Sequence, residues 1–595
     1  MCGIFGLHSL KKISDEDKKN CKRSLKFLKD RGPDEQNIKT FNNVILCHSR
    51  LSIIDLNNGA QPMEDFESRY TIIFNGEITN FKFLKLKLIK EYGVKFITDS
   101  DTEVLLYMYK VYKEKCLGYL EGMFAFAVYD KFKNEIFLAR DPLGIKPLYY
   151  FKNKEKKFFF SSELRTFYKI GIKKFFLNEK KIDEFIIHGN IVGKETLHKD
   201  IFQLEAGCFA KISKKSFLVK KYWYPSQNLP YESKFTIAKN KLEKILINIF
   251  KEWSIADVQV GCLTSGGLDS GLLSKFLKKF VGKVKFFTSY SNEKGQDERK
   301  ISLKITRSRK NHKFIKISDK NMAINFKKII SYTCEPIHNL NSITFYFLCK
   351  FIKEKFKIKV LLTGEGSDEC FAGYKRHYDL AKKIKLNLIT RKDLLMSLNY
   401  LTVNRFKKFN IKNKFSYKLS NERLKEGKEI KSSDFLNKVL EIDQKTFLPP
   451  YLNRMDMIGG MFGMEIRPPY LDKRVVEYSH KIPGKFKCTM IKNFLWRKYI
   501  MRKIAEKFLP KNLVWNKKSY QFSAPAAVSL KKDSFRKLFR STINKNCYLG
   551  KYYNIAGILK MFGEHGEIRE SKNDHSNTLI RILSLELMIK NLKNV

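Results

Sequence analysis

The stretch from Val258 to Gly271 reads V-Q-V-G-C-L-T-S-G-G-L-D-S-G, and its reading decides the fold of the larger part of the chain. The apolar run ending at Leu263 predicts a buried parallel strand, Ser265-Gly266-Gly267 a tight turn, and Leu268 onward the opening of a helix. Such a turn is an anion cradle: glycines let backbone N–H groups approach an anion, the helix N-terminus adds positive potential, and the hydroxyls of Ser265 and Ser270 donate. Asp269 does not suit a phosphate by itself. A carboxylate beside phosphates makes sense when Mg²⁺ sits between them, so the stretch predicts a nucleotide site with Asp269 as a metal ligand. A plain strand–turn–helix is the alternative for the motif taken alone.

Downstream the pattern alternates. A helix at 239–253 leads into the stretch, strands follow at 284–290 and 312–317, and helices at 296–308 and on to about 356. This predicts a doubly wound parallel α/β sheet, whose ligands bind at the carboxyl ends of its strands. Val360-Leu361-Leu362 is a further strand end, followed by Thr363-Gly364-Glu365-Gly366-Ser367-Asp368-Glu369. Opposite a phosphate turn, Asp368 reads as the second Mg²⁺ carboxylate and Glu365 as facing the reacting groups. Residues 376 to 445 read as Lys/Asn-rich helical scaffold. Beyond them stand Tyr451-Leu452-Asn453-Arg454-Met455-Asp456, Gly463-Met464-Glu465-Ile466-Arg467-Pro468-Pro469-Tyr470-Leu471-Asp472 and Lys498-Tyr499-Ile500-Met501-Arg502-Lys503.

Upstream lies a different composition, many short strands with few helices, which predicts a two-sheet layered domain. Excision of Met1 would put a thiol and a free α-amine on Cys2, and an α-amine can serve as general base for its own side chain. A small buried cysteine is the plainer alternative for Cys2 alone. Arg31-Gly32-Pro33-Asp34 is a turn after a Lys-rich amphipathic helix. Arg50 is a lone arginine on a strand, able to pair with a carboxylate. The strand 71–74 ends in Asn75-Gly76-Glu77, where an Asn amide and a Gly N–H together form an oxyanion hole. Residues 98–103 hold acids that cap a helix at 104–112.

The chain has 595 residues and a formal net charge of +55. The length suits two units, placed at 1–212 and 236–595 with a Pro-bounded basic connector at 213–235. Lysine is dispersed along the whole chain with abundant Phe, Ile, Asn and Tyr, the signature of an A/T-rich coding bias. A nucleic-acid footprint would cluster instead, so no nucleic-acid partner is expected. Eleven cysteines in no paired spacing predict reduced thiols. No apolar run is long enough to span a membrane, and the N-terminus lacks the pattern of a signal peptide, so a cytoplasmic protein without a membrane partner is expected.

Met-Cys-Gly-Ile-Phe-Gly, Arg-Gly-Pro-Asp, Arg-Leu-Ser-Ile-Ile-Asp, Asn-Gly-Glu-Ile and Ala-Arg-Asp-Pro-Leu-Gly-Ile-Lys-Pro-Leu-Tyr-Tyr together resemble the class II glutamine amidotransferase domain. The resemblance implies an αββα N-terminal-nucleophile fold that hydrolyses glutamine. It casts Cys2 as nucleophile, Asn75 and Gly76 as oxyanion hole, Arg50 as partner of the glutamine α-carboxylate, Ile53 as a further contact, and Glu77 and Asp101 at the amine side. Thr79 stands where the family usually has Tyr, and Ala206 where Pro is usual.

Ser-Gly-Gly-Leu-Asp-Ser, Gly-Glu-Gly-Ser-Asp-Glu, Glu-Ile-Arg-Pro-Pro-Tyr-Leu-Asp and the Lys498 segment resemble the synthetase domain of glutamine-dependent asparagine synthetases, of the ATP pyrophosphatase class. The resemblance implies Mg²⁺-dependent cleavage of ATP to AMP and pyrophosphate through β-aspartyl-AMP. ATP would lie against Leu263, Ser265, Gly266, Gly267, Leu268, Asp269, Ser270, Ser289, Thr363 and Gly364, the metal on Asp269 and Asp368, and Lys498 at the intermediate. A homodimer is compatible with this reading.

The departures are Asp456-Met457-Ile458-Gly459-Gly460 in place of Asp-Arg-Met-Ser-Met, Pro468 for Val and Gly271 for Ser. They suggest an altered acceptor pocket. A relative that amidates another carboxylate, such as a sugar acid, therefore stays open beside aspartate amidation. A tRNA-acting ATP pyrophosphatase fits less well, because the glutaminase motifs are complete.

Overall fold

The computed structural model describes residues 1–214, 216–225, 230–290, 297–317, 321–386, 408–409, 411, 433–491, 494–516, 529–567 and 574–593. Its first part is a pair of six-stranded antiparallel sheets. One runs Phe202–Gln203, Tyr149–Lys152, Phe158–Ser161, Gly3–His8, Val44–Arg50, Glu35–Thr40; the other Phe217–Lys221, Cys208–Ile212, Glu135–Arg140, Gly122–Asp130, Tyr70–Ile78, Met63–Glu64. Side chains alternate across a strand, and Gly3–His8 shows the consequence. Ile4 enters the layer between the sheets with Val44, Leu46, Ile73 and Ala125. Phe5 and Leu7 face the other way, toward Leu25 and Leu28 of the helix Asp15–Leu28. Helices Phe81–Tyr92 and Asp101–Tyr112 pack together, the latter against strand Tyr70–Ile78, which completes the αββα layering.

Strand Phe217–Lys221 pairs in register with Cys208–Ile212, so the sheet continues past residue 212, where the sequence places the start of the connector. It is an exposed edge strand flanked by lysines, the usual guard against edge pairing, and that composition reads as linker. Trp223 is buried, and its indole N–H donates to Glu477 at 2.7 Å, so the aromatic run after the strand is a packed joint.

The second part is built on five strands, all parallel, in the order His312–Lys316, Lys285–Tyr290, Val260–Leu263, Val360–Leu362, Glu465–Arg467. The chain enters at Val260–Leu263, winds outward on one side, then returns to lay Val360–Leu362 on the other. Strand order therefore reverses between these two strands, and the crevice at their carboxyl ends is where such sheets bind ligands. Glu465–Arg467 is a fifth strand that no periodicity announces, since three residues are too few to show alternation. Within 376–445 the helices Lys375–Lys385 and Phe435–Thr446 bound the segment; apart from short pieces at 386, 408–409, 411 and 433–434 the rest of that expected scaffold lies outside the described residues.

Candidate active sites

Cys2 precedes the central strand Gly3–His8. Its thiol sulfur accepts from the Leu51 N–H at 3.4 Å, a contact that favours the thiolate, although burial pushes the thiol pKa upward overall. Gly76 lies opposite Phe124 in the strand pair, and a Cβ there would sit 2.1 Å from the Met123 carbonyl oxygen, so only glycine fits. Asn75 and Glu77 are buried on the same strand. Both amide atoms of Asn75, Oε1 of Glu77 and the Thr79 hydroxyl have no hydrogen-bond partner among the described residues. Buried polar atoms are nearly always paired, so this cluster is shaped for a polar ligand.

Asp101 accepts from the Ile78 N–H at 3.0 Å. Burial, ahead of that hydrogen bond, raises its pKa to about 7. The N-cap of the helix beginning at Asp101 is Ser100, and Glu103 accepts from the Ile97 and Thr98 N–H groups, so of the acids at 98–103 Asp101 is the one at the pocket strand. Arg50 is turned onto its own loop, donating to the carbonyls of Leu56 at 3.1 Å and Asp55 at 2.5 Å. It braces that loop, and Ile53, buried there, accepts from the Asp257 N–H at 2.9 Å across the joint between the two parts.

That joint is built from buried charge. Arg31 is wholly buried; its Nε donates to the Cys2 carbonyl at 3.0 Å, and its Nη1 lies 2.8 Å from Asp456 and 3.4 Å from Glu163. Arg467 donates to Glu77 Oε2 at 2.9 Å and to Glu465 at 2.8 Å. Removing one partner of such a buried pair costs about 3–5 kcal/mol, because the other charge is left unpaired. Met1 is enclosed here too: its Sδ is 3.9 Å from Arg31 Nη2, and burial lowers its α-amine pKa to about 5.

The second site is a cavity of about 440 Å³ at the strand switch point. The glycine turn from Leu263 to Ser270 lines it, and so do Ser289, Thr363, Gly364, Glu365, Asp368 and Lys498, so the whole nucleotide and metal set named from the sequence is brought together. The two glycine turns touch: a Cβ on Gly364 would lie 3.1 Å from the Ser270 nitrogen. Ser265 and Ser270 hydroxyls are 2.7 Å apart, and Gly267 N–H donates to Ser265 Oγ at 3.1 Å. The Lys498 ammonium sits between the carboxylates, 2.5 Å from Asp269 and 2.7 Å from Asp368, and their charges raise its pKa against the opposing effect of burial. Lys498 adopts a left-handed backbone at φ 50°, a conformation costing about 1–2 kcal/mol for a residue with a Cβ. At Gly373 a Cβ would meet Asp368 Oδ1 at 1.6 Å, so a side chain there would displace that carboxylate.

Several residues that line the crevice have no role in the sequence reading. Glu298 accepts from the Gly266 N–H at 3.0 Å, so a carboxylate already touches the anion cradle, and burial raises its pKa. Arg454 bridges to Glu365 at 3.0 Å, and Arg376, bound to Asp443 at 2.8 Å, is stacked between Tyr374 and Phe447. These arginines stand among 116 basic residues, and no spacing marks them out.

The departures that suggest an altered acceptor pocket fall in different places. Gly459 faces Met1, where a Cβ would come within 2.5 Å of its Cε, and Gly460 faces Arg31 at 2.9 Å. Gly271 faces Ile305 and Leu509. Pro468 is not among the residues lining the larger cavity. Gly459, Gly460 and Gly271 thus shape the joint and a helix contact, while Met457 and Ile458 line a smaller cavity that shares Arg454 with the larger one; adjacency to the Glu-Ile-Arg strand does not say which side of the sheet a residue meets.

Residues 1–223 match a model of the glutamine amidotransferase domain, and residues 241–590 match the model of asparagine synthase. The chain is 27% identical to glutamine-hydrolyzing asparagine synthetase 1 of Bacillus subtilis over 604 residues, covering 95% of this chain and 93% of that protein. It is also 27% identical to asparagine synthetase 3 of the same organism, covering 87% and 86% of the two chains, and 27% identical to asparagine synthetase B of Escherichia coli, covering 88% and 82%. None of the eleven cysteines is in a disulfide, and no helix among the described residues is long and apolar enough to cross a membrane. With the asparagine synthase model spanning more than half of it behind an amidotransferase domain, the chain belongs to the glutamine-hydrolysing asparagine synthetase family.

Proposed function

We propose that the chain transfers the amide nitrogen of glutamine to the β-carboxylate of aspartate, cleaving ATP to AMP and pyrophosphate. The observation that carries the reading is the presence, in one chain, of a half-buried thiol at the chain start with a cluster of buried polar atoms unpartnered among the described residues, and of a crevice whose two carboxylates converge on a cation. At the first site the Cys2 thiolate attacks the glutamine amide carbon, and Asn75 with the Gly76 N–H receives the oxyanion. The Cys2 α-amine, freed by removal of Met1, takes the thiol proton and returns it to the departing ammonia; water then cleaves the thioester to glutamate. Glu77 and Asp101 bind the substrate ammonium, and Arg50 serves its carboxylate by exchanging the loop carbonyls of Leu56 and Asp55 to which it donates.

At the second site the turn Ser265–Ser270 binds the phosphates. Asp269 and Asp368 already hold an ammonium between them, a donor set that fits Mg²⁺, which when bound would neutralise phosphate charge. An aspartate carboxylate oxygen attacks the α-phosphorus, pyrophosphate leaves, and Lys498 steadies the acyl phosphate. Ammonia attacks the acyl carbon and AMP departs. A smaller cavity, about 150 Å³ and lined by Met457 and Ile458, shares Arg454 with the larger one and supports an internal route for ammonia along the helix that carries Asp456 to Arg31.

Aspartate is favoured as acceptor because the sequence departures turn away from the larger cavity. Incubation with glutamine, Mg·ATP and aspartate should yield asparagine, glutamate, AMP and pyrophosphate. Glutamine hydrolysis without asparagine would reject aspartate, and activity on a sugar acid instead would identify the other acceptor class.

A further inference from the structure

Arg467 belongs to the synthetase sheet, yet its side chain ends in the glutamine pocket. Nη2 donates to Glu77 Oε2 at 2.9 Å, Nε to Glu465 at 2.8 Å, and Nη1 to the carbonyls of Trp253 at 3.0 Å and Ile255 at 2.7 Å. Its own carbonyl accepts from the Thr363 N–H at 3.0 Å, and Thr363 opens the turn that carries Glu365 and Asp368. One residue thus touches both sites.

The bridge satisfies one oxygen of Glu77. Here Oε2 is engaged and Oε1, with both amide atoms of Asn75, stays unpartnered among the described residues. An ammonium, all donors and no acceptor, is the group that such a spare carboxylate oxygen suits. Burial, with Asp101 and Glu465 adding to it, holds the Glu77 carboxyl well above its ordinary range, and Arg467 and Lys146 pull in the opposite direction.

We propose that Arg467 is a positioning residue for glutamine: it fixes Oε2 of Glu77 and aims the remaining oxygen at the substrate ammonium, so the glutamine pocket is complete only when the synthetase sheet is docked. This deepens, and rests on, the glutamine reading above.

The test compares Arg467→Met and Arg467→Lys with the parent enzyme, following glutamine hydrolysis, alkylation of Cys2 by a diazoketone analogue of glutamine, and ammonia-driven pyrophosphate release. Arg467→Met should raise the KM for glutamine by about tenfold or more, with kcat within about threefold, and weaken the analogue equally. Arg467→Lys should recover part of the loss, and Glu77→Gln added to Arg467→Met should cost little more, because the two act as one unit. A glutamine KM within about twofold of the parent, full additivity with Glu77→Gln, or an equal fall in ammonia-driven activity would overturn the inference. Should Arg467→Met not fold, the KM of Arg467→Lys and its coupling to Glu77→Gln decide by the same criteria. A parent enzyme that neither hydrolyses glutamine nor reacts with the analogue at Cys2 would instead overturn the glutamine reading itself.

Discussion

The two sites solve the problem of buried polar groups in opposite ways. At the first site, the Asn75 amide, Glu77 Oε1 and the Thr79 hydroxyl are buried without partners among the described residues. In the crevice, each charged group is matched by another protein group: Lys498 lies between Asp269 and Asp368, Glu298 on the Gly266 N–H, and Arg454 on Glu365. The first is a mould, in which a ligand supplies missing hydrogen bonds. The second is self-neutralised, so a ligand has to exchange existing contacts. Small uncharged changes in the mould should act on substrate affinity, whereas charge changes in the crevice should act on the chemical step.

The sharpest way to break the comparison is to remove each site's central group. Cys2→Ala should abolish the glutamine-driven reaction while sparing the ammonia-driven one, read as asparagine formed from each nitrogen source; loss of both would deny the division of labour. Asp269→Asn should cut pyrophosphate release by about a thousandfold and leave glutamine hydrolysis in place. Gly373→Ala should act next, lowering pyrophosphate release by about a hundredfold, since its methyl group would displace Asp368 without touching charge.

The mould predicts a pH effect. Asp101 titrates at about 7; below that it is protonated and attracts the substrate ammonium less. The KM for glutamine should therefore fall by about threefold to tenfold as pH rises from 6 to 8, and Asp101→Asn should flatten the profile. A profile unchanged by that substitution would move the titration elsewhere. The smallest effect belongs to Glu298. Glu298→Gln keeps an acceptor for the Gly266 N–H but removes a negative charge from the cradle, and should lower the KM for ATP by about threefold. A rise would mean that the carboxylate helps to bind the nucleotide.

How far these sites are legible in sequence follows the same contrast. Asp269 and Asp368 stand out because each follows a glycine turn at the end of an apolar strand, and local order places both at one crevice. Asn75-Gly76-Glu77 is legible for the same reason, as a short polar string closing a strand. Arg467 and Glu298 are not, because their meaning lies in partners 390 and 32 residues away. Gly459 and Gly460 mislead, since their neighbours in space are Met1 and Arg31 rather than the acceptor cavity. The edge strand Phe217–Lys221 hides behind its lysines.

The two sites make one enzyme only if the nitrogen released at Cys2 reaches the carboxylate activated beside Asp269 and Asp368. Glutamine labelled with ¹⁵N in its amide, supplied with aspartate, Mg·ATP and excess unlabelled ammonium, tests this directly by the mass of the product. The account predicts asparagine that is predominantly one mass unit heavier, formed in equal amount with AMP and pyrophosphate. Unlabelled asparagine alongside released ¹⁵N ammonium, or no asparagine while glutamate accumulates, would contradict it.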